Sequence, residues 1–512
     1  MILLIHDTYK IVQILDLDTN IEMKISFQNP VVTLFKIAKK NSERIIIWCH
    51  ELHKDNLNLE AIKASFYIKN IMCSYSKKQY LPLQIGYVED SPFININKKV
   101  KYPTWLMSAN VGAIYASQLL KFKDNTLIKE PFEYALNSIS KLGISNGLLC
   151  YSEPKLLKDN SLNCTTKGAT TSTFFKFVKQ HFKKRWTVLL FLNYIFYENK
   201  FPIISFINSL FYKEKSLKTV LKTKSVNSII INTSDVSIDV IIPTIGRKAY
   251  LYNVLHDLSK QTLLPRKVII IEQNPEINSS SELNYLYDNK WPFKITHQFI
   301  HKTGACNARN IALKNTNSDY IFFADDDIRF DENILHNTIS EMYSYNVSAV
   351  TLSCLMPNDI EKKKSIIQWS SFGSGCSIVK SEALAGLTYD TSFEHGFGED
   401  SDFGMQLRNK GTDILYFPHI KLLHLKATLG GFRTKDVNPW NNLKIEPKPS
   451  PTVMLNRIKN NSKQQLLGYK TVLFFKYYRK QKIKNPITYY KTFLKQWKQS
   501  VNLSYQLKYI NN

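Results

Sequence analysis

Two periods of apolar and polar positions run along this chain, and the switch between them is clearest after residue 236. "SIDVIIPT" (237–244) is a run of branched apolar residues closed by Pro-Thr, the pattern of a buried strand. "RKAYLYNVLHDLSKQ" (247–261) turns to helical spacing, with Leu251, Val254, Leu255 and Leu258 on one side. "KVIII" (267–271) and "KITHQFI" (294–300) predict two more strands, "ACNARNIALKN" (305–315) a helix and "DYIFFA" (319–324) a further strand. Strand and helix alternating at this spacing predict an α/β fold with a mostly parallel sheet flanked by helices. Ligands of such sheets bind beyond the carboxyl ends of the strands, so the residues after each strand are the candidates for chemistry.

The rest of the chain divides around this block. Residues 1–212 predict a second α/β domain, 213–236 a lysine-rich linker, 237–434 the block itself and 435–512 a basic, helical C-terminal extension. "WLMSANVGAIYASQLL" (105–120) echoes "WSSFGSGCSIVKSEAL" (369–384), and 131–157 echoes 402–423. The echo suggests that 1–212 is a degenerate copy of the block. The most lipid-like stretch, 186–212, is interrupted by Glu198, Asn199, Lys200 and Pro202, too early for either half to span a bilayer. It predicts buried or interfacial helices. The aromatic, lysine-rich tail reads either as an attachment to an anionic membrane face or as a helix packed on the domain with a solvated basic side.

Length and composition narrow the class. A chain of 512 residues supports two or more domains with their own cores. A formal net charge of +26 suggests an anionic partner, whether phosphorylated substrate, membrane surface or nucleic acid; a Lys-, Asn-, Ile- and Tyr-rich composition yields the same charge without one. Seven cysteines, none in a CxxC pair, exclude a zinc module and a disulfide framework and fit a reducing cytoplasm. "MILLIHDTYK" is too short an apolar run for a signal peptide.

Polar residues then collect at the strand ends. Pro243, Thr244, Gly246 and Arg247 follow the first strand, Glu272 the second, and Asp325, Asp326 and Asp327 the fourth. Carboxylates one residue apart suit a hard cation, Mn²⁺ or Mg²⁺, bridging protein to a diphosphate; an acidic start to the next helix is the plainer explanation. In "GFGEDSDFGMQLRNKG" (396–411), Asp400 beside Glu399 offers a general base, and again a helix start explains the same residues. His424 ends a short apolar strand and could complete a metal shell, with His419 as competitor, while Gly430, Gly431 and Arg433 could wrap a phosphate.

Taken in order, "VIIPTIGR", "VIIIEQNP", "GACNARNIAL", "FFADDDIRF", "GSGCSIV", "GEDSDFGMQLRNKG" and the terminal "LLH" resemble family 2 glycosyltransferases of the GT-A fold over about 237–433. The resemblance implies a GT-A-type, Rossmann-like sheet and an inverting, metal-dependent, non-processive transfer of sugar from a nucleotide-diphosphate donor, most often a UDP-sugar, to a hydroxyl. Pro243, Thr244, Arg247, Glu272, Arg309, Asp325, Asp326 and Gly375 would bind the nucleotide-sugar. Asp325, Asp327 and His424 would hold Mn²⁺ or Mg²⁺. Asp400 would be the base, with Glu399 at the acceptor. Glu272 stands where the family usually has Asp. The expected acceptor is a glycan or lipid-linked glycan of surface polysaccharide synthesis, at the cytoplasmic face of the plasma membrane. A processive synthase is disfavoured, because no QxxRW follows the block. A metal-dependent nucleotidyltransferase and a non-enzymatic nucleic-acid binder are the competing classes; no nucleic acid is expected as partner, since no RNP-type motif or zinc module is present.

Overall fold

The structure is a computed structural model describing residues 1–25, 28–124, 127–159, 167–217, 219–221, 236–427, 440 and 443–510. The candidates Gly430, Gly431 and Arg433 and most of the expected linker lie outside the described residues. The chain forms two units. The first comprises 1–227, 365–368 and 462–473; the second comprises 228–364, 369–461 and 474–512.

In the second unit the strands lie in the order Lys294–Ile300, Lys267–Gln273, Ile238–Thr244, Tyr320–Ala324, Cys376–Lys380, Ala349–Leu355, Leu415–His424 and Ile328–Arg329. The first four pair in parallel. Cys376–Lys380 runs antiparallel to both its neighbours, so the sheet is parallel on one side and mixed on the other. Tyr320–Ala324 is buried along its whole length because neighbouring strands flank it on both sides. Helices Ala305–Lys314 and Glu399–Asn409 cover one face; Ala308, Ala312, Phe403 and Leu407 pack there against Ile241, Ile321 and Phe323. The three aspartates therefore emerge from the middle of a sheet, at the carboxyl end of its most enclosed strand.

The first unit contains five strands of the same design. Ile2–His6, Ile45–His50, Val111–Tyr115, Ile71–Tyr75 and Leu149–Ser152 lie side by side in that order, with the same chain succession and the same directions as Ile238–Thr244, Tyr320–Ala324, Cys376–Lys380, Ala349–Leu355 and Leu415–His424. The register agrees as well. Cys49 faces Val111 where Ala324 faces Cys376, and the next amides, His50 N and Asp325 N, donate to Asn110 O and Gly375 O. The echoed segments 105–120 and 369–384 thus fall on equivalent strands. The units diverge elsewhere. Ile11–Asp16 folds back on Ile2–His6 as an antiparallel hairpin, where the second unit has the parallel strand Lys267–Gln273. His50, Glu51 and Leu52 stand where the second unit has its three aspartates.

One buried acid in the first unit makes a prediction. Glu133, in the first turn of helix Phe132–Ile144, is 4% exposed, and its Oε2 has no hydrogen-bond partner among the described residues. Burial pushes its carboxyl up to about 7, against the hydrogen bonds from the Ala109 amide and Ser108. A carboxyl raised above its unfolded value binds its proton more tightly when folded. Stability therefore falls as pH rises from the unfolded value through 7, by roughly 3 kcal/mol at most. Glu133→Gln should melt higher than the parent at about pH 8 and at the same temperature near pH 4. A melting difference independent of pH would remove this explanation.

The C-terminal residues form helices Pro451–Asn460, Lys463–Tyr478 and Pro486–Ile510. Within the second unit the Phe474 ring packs on Tyr489 and Phe493, both buried, so these tail aromatics face protein. The 186–212 stretch forms two helices, Lys184–Glu198 and Ile203–Leu210, broken at Asn199 in the left-handed region and at Pro202. No helix among the described residues is long and apolar enough to cross a membrane.

Candidate functional site

Beyond the carboxyl ends of the parallel strands lies a cavity of about 470 Å³. Pro243, Thr244, Arg247, Arg309, Asp325, Asp326, Asp327, Gly375, Glu399, Asp400 and His424 all line it. Glu272 does not. Alternate residues of a strand face opposite ways, and it is Gln273 that opens into the cavity. The Glu272 carboxylate is instead 2.9 Å from His297 Nε2 and accepts from the Glu282 amide. His419 bonds Glu341 and lies outside the lining.

The three aspartates have separate partners. Asp325 accepts from Arg309 (3.1 Å). Asp326 is buried and accepts from Thr244 Oγ1 (2.7 Å) and Arg247 (2.6 Å); burial still pushes its carboxyl up to about 6. Asp327 lies 3.2 Å from His424 Nε2, accepts from the Ala427 amide (2.9 Å) and pairs with Arg247 (3.3 Å). Burial alone would raise Asp327, but these donors outweigh it and hold the carboxyl below its usual range. The same hydrogen bond raises the His424 imidazole above its usual value. Strand register makes this pairing: Ile328 faces His424, which sets His424 beside Asp327.

Asp325, Asp327 and His424 each offer a ligand atom, all within 4.8 Å of one another. Two carboxylate oxygens and one imidazole nitrogen suit Mn²⁺ or Mg²⁺, so the residues fit the cation that the acidic turn suggests.

The second acidic group is joined to the first by one turn, Gly373–Ser374–Gly375. Ser374 Oγ donates to Asp400 and lies 2.7 Å from the Tyr389 hydroxyl. Its neighbour Gly375 accepts the Asp325 amide at 3.2 Å, and a Cβ there would come within 2.0 Å of the Asp325 carboxylate. Gly375→Ala should therefore displace Asp325 and weaken Mn²⁺ binding on the order of tenfold, read by calorimetric titration. Unchanged affinity would mean that Asp325 does not ligate. Asp400 and Glu399 sit in the first turn of helix Glu399–Asn409, where the helix dipole favours acids. Burial nevertheless raises both, Glu399 to about 7 with the Asp400 charge adding to it. Arg309, buried beneath Tyr389 and near Asp325, Asp400 and Glu399, has its guanidinium held charged by these neighbours against desolvation.

Sequence reasoning did not find Gln273, Ser374, Tyr389 or Glu394. Glu394 accepts from the amides of Cys306 (2.9 Å) and Asn307 (3.2 Å), at the positive start of helix Ala305–Lys314. Gly304, at φ 140°, lets it approach, since a Cβ there would meet the carboxylate at 2.0 Å. The sequence signal was the acid-and-glycine run beginning at Glu394, of which only the later part drew attention.

Residues 239–393 match the family described as Glycosyl transferase family 2. No curated protein matches the chain. Solved structures with some likeness include S. aureus TarS 1–349, 17% identical, covering 37% of this chain and 60% of that one at a TM-score of 0.32. The chain thus spans about three-fifths of that relative's length. The same protein in complex with UDP-GlcNAc is 16% identical, covering 46% of this chain and 70% of that one, TM-score 0.35. Mannosyltransferase PcManGT from Pyrobaculum calidifontis, in complex with GDP-Man and Mn²⁺, is 15% identical, covering 53% and 74%, TM-score 0.30. The stretch that matches the family, 239–393, is the one that builds the four parallel strands and the acidic turn.

Proposed function

We propose that the second unit transfers a sugar, with inversion, from a nucleotide-diphosphate donor, a UDP-sugar, to a hydroxyl of a glycan or lipid-linked glycan, as a non-processive step of surface polysaccharide synthesis at the cytoplasmic face of a membrane. The observation that carries this reading is the Gly373–Ser374–Gly375 turn, which touches the acidic turn with one residue and the Asp400 carboxylate with the next.

Asp400, oriented by Ser374, accepts the proton of the acceptor hydroxyl as that oxygen attacks the anomeric carbon. Attack comes from the side opposite the diphosphate, so the configuration inverts. Glu399, beside it, hydrogen-bonds the acceptor. Thr244 and Asp326 face the ribose and sugar, and Arg247 and Arg309 supply fixed positive charge to the diphosphate. Mn²⁺ or Mg²⁺ held by Asp325, Asp327 and His424 would offset the charge growing on the leaving diphosphate.

A panel of sugar nucleotides with and without Mn²⁺, read by thermal shift and by slow hydrolysis, tests the class. A UDP-sugar should stabilise the protein only with metal and be hydrolysed slowly. No response to any sugar nucleotide, together with salt-sensitive RNA binding, would overturn the proposal in favour of a nucleic-acid binder.

A further inference from the structure

Helix Ile203–Leu210 carries its apolar stripe on the outside. Its inward side is held by Phe206, stacked on Phe191 at 4.7 Å, by buried Ser209, and by a hydroxyl contact between Ser205 and Ser172 (2.8 Å). Ile203, Ile204, Ile207 and Leu210, at helical spacing, instead face solvent, continued by Phe201 before the helix and Phe211 after it. Ile204 is 76% exposed and Phe211 82%. A soluble helix normally shows the reverse arrangement, and an exposed patch of such large side chains marks a surface that binds something.

Charge identifies the occupant. Between Asn199 and Lys213 there is no acidic residue, and exposed Lys200 and Lys213 bracket the stripe. A further basic run, exposed Lys183, Lys184 and Arg185, lies at the Lys213 end. The backbone brings it there: Lys215 N donates to Gln180 O (2.8 Å) and Lys179 Nζ to Tyr212 O (2.8 Å). Of the nearby acids, Glu198 is turned away to the Tyr87 hydroxyl (2.7 Å) and Gln84, and exposed Glu214 follows Lys213, where Lys183, Lys184, Arg185 and Lys213 outnumber it. An apolar stripe edged by cations matches the acyl and headgroup layers of an anionic bilayer surface. A protein partner that covered the stripe would require no basic edge at both ends.

We propose that the first unit docks on an anionic lipid surface through residues 200–213, with Lys183–Arg185 contacting headgroups. The helix lies in the interface and does not cross it. The proposal goes beyond the transferase reading and stands without it.

The test is sedimentation of the full-length chain with phosphatidylglycerol–phosphatidylcholine vesicles and with phosphatidylcholine alone. Binding should require phosphatidylglycerol and weaken with salt. Ile204→Glu and Phe211→Glu should each reduce it about tenfold or more, and Lys213→Glu about fivefold. Both apolar positions are solvent-facing, so the variants should keep the parent melting temperature and its donor response. Equal pelleting of parent and variants overturns the proposal. So does absence of pelleting, and so does a concentration-dependent dimer that Ile204→Glu dissolves, which would assign the stripe to a second copy of the chain.

Discussion

Asp400→Asn should lose sugar transfer by about 10²- to 10⁴-fold while binding metal and donor as the parent does. Asparagine keeps the shape and still accepts the Ser374 hydroxyl, so the Gly373–Ser374–Gly375 turn and the Asp325 pocket beside it should stay in place. What it cannot do is take a proton. The same chemistry sets the pH profile of the parent. Burial raises both Asp400 and Glu399, the latter to about 7. A base must be ionised to act, so kcat should fall on the acid side at a pH above the ordinary carboxylate range, because burial raises Asp400, and level off once Asp400 is ionised. In the variant this acid limb should vanish along with the activity. A variant that transfers at the parent rate would assign the base elsewhere.

Asp327→Ala should abolish the metal-dependent donor response and weaken donor binding on the order of 100-fold, the upper end of what loss of metal support costs. Asp327 is the most constrained of the three aspartates. It is 2% exposed, and it meets His424, the Ala427 amide and Arg247. Removing it leaves a buried amide unpaired and a guanidinium with one fewer carboxylate, so the metal-free variant should also melt lower, by an amount worth about 3 kcal/mol. Asp327→Asn separates the two effects. It can still accept from Ala427, so it should recover most of the stability and none of the metal response. Parent-like donor stabilisation in either variant would remove Asp327 from the metal site.

The elements of the second unit were legible because buried parallel strands write long apolar runs and their covering helices write a 3.6 period. Lys294–Ile300 and Ala305–Lys314 fall where the pattern put them. The antiparallel placement of Cys376–Lys380 between Tyr320–Ala324 and Ala349–Leu355 was not legible, since periodicity carries no strand direction. The site divides in the same way. Carboxylates that follow a buried strand stand out, because only a special reason exports charge from a core, and Asp325–Asp327 lie in the cavity. Glu272 shows the limit: its place in the chain is right for the cavity mouth, but the pleat turns it toward His297. Ser374 and Tyr389 are ordinary residues in sequence, and only the fold sets them against Asp400. Glu133 shows the matching point in the first unit. It too sits in a helix's first turn and accepts from a serine, Ser108, in the segment before the antiparallel strand, while the turn after Cys49 reads His50–Glu51–Leu52 in place of three aspartates.

The account stands or falls on whether one cation sits among Asp325, Asp327 and His424. Anomalous diffraction from crystals grown with Mn²⁺ and UDP measures this directly. The expected result is a single strong manganese peak within ligand distance of those three side chains, with the diphosphate on its open side. Manganese and UDP bound elsewhere, with no peak beside Asp327, would contradict it.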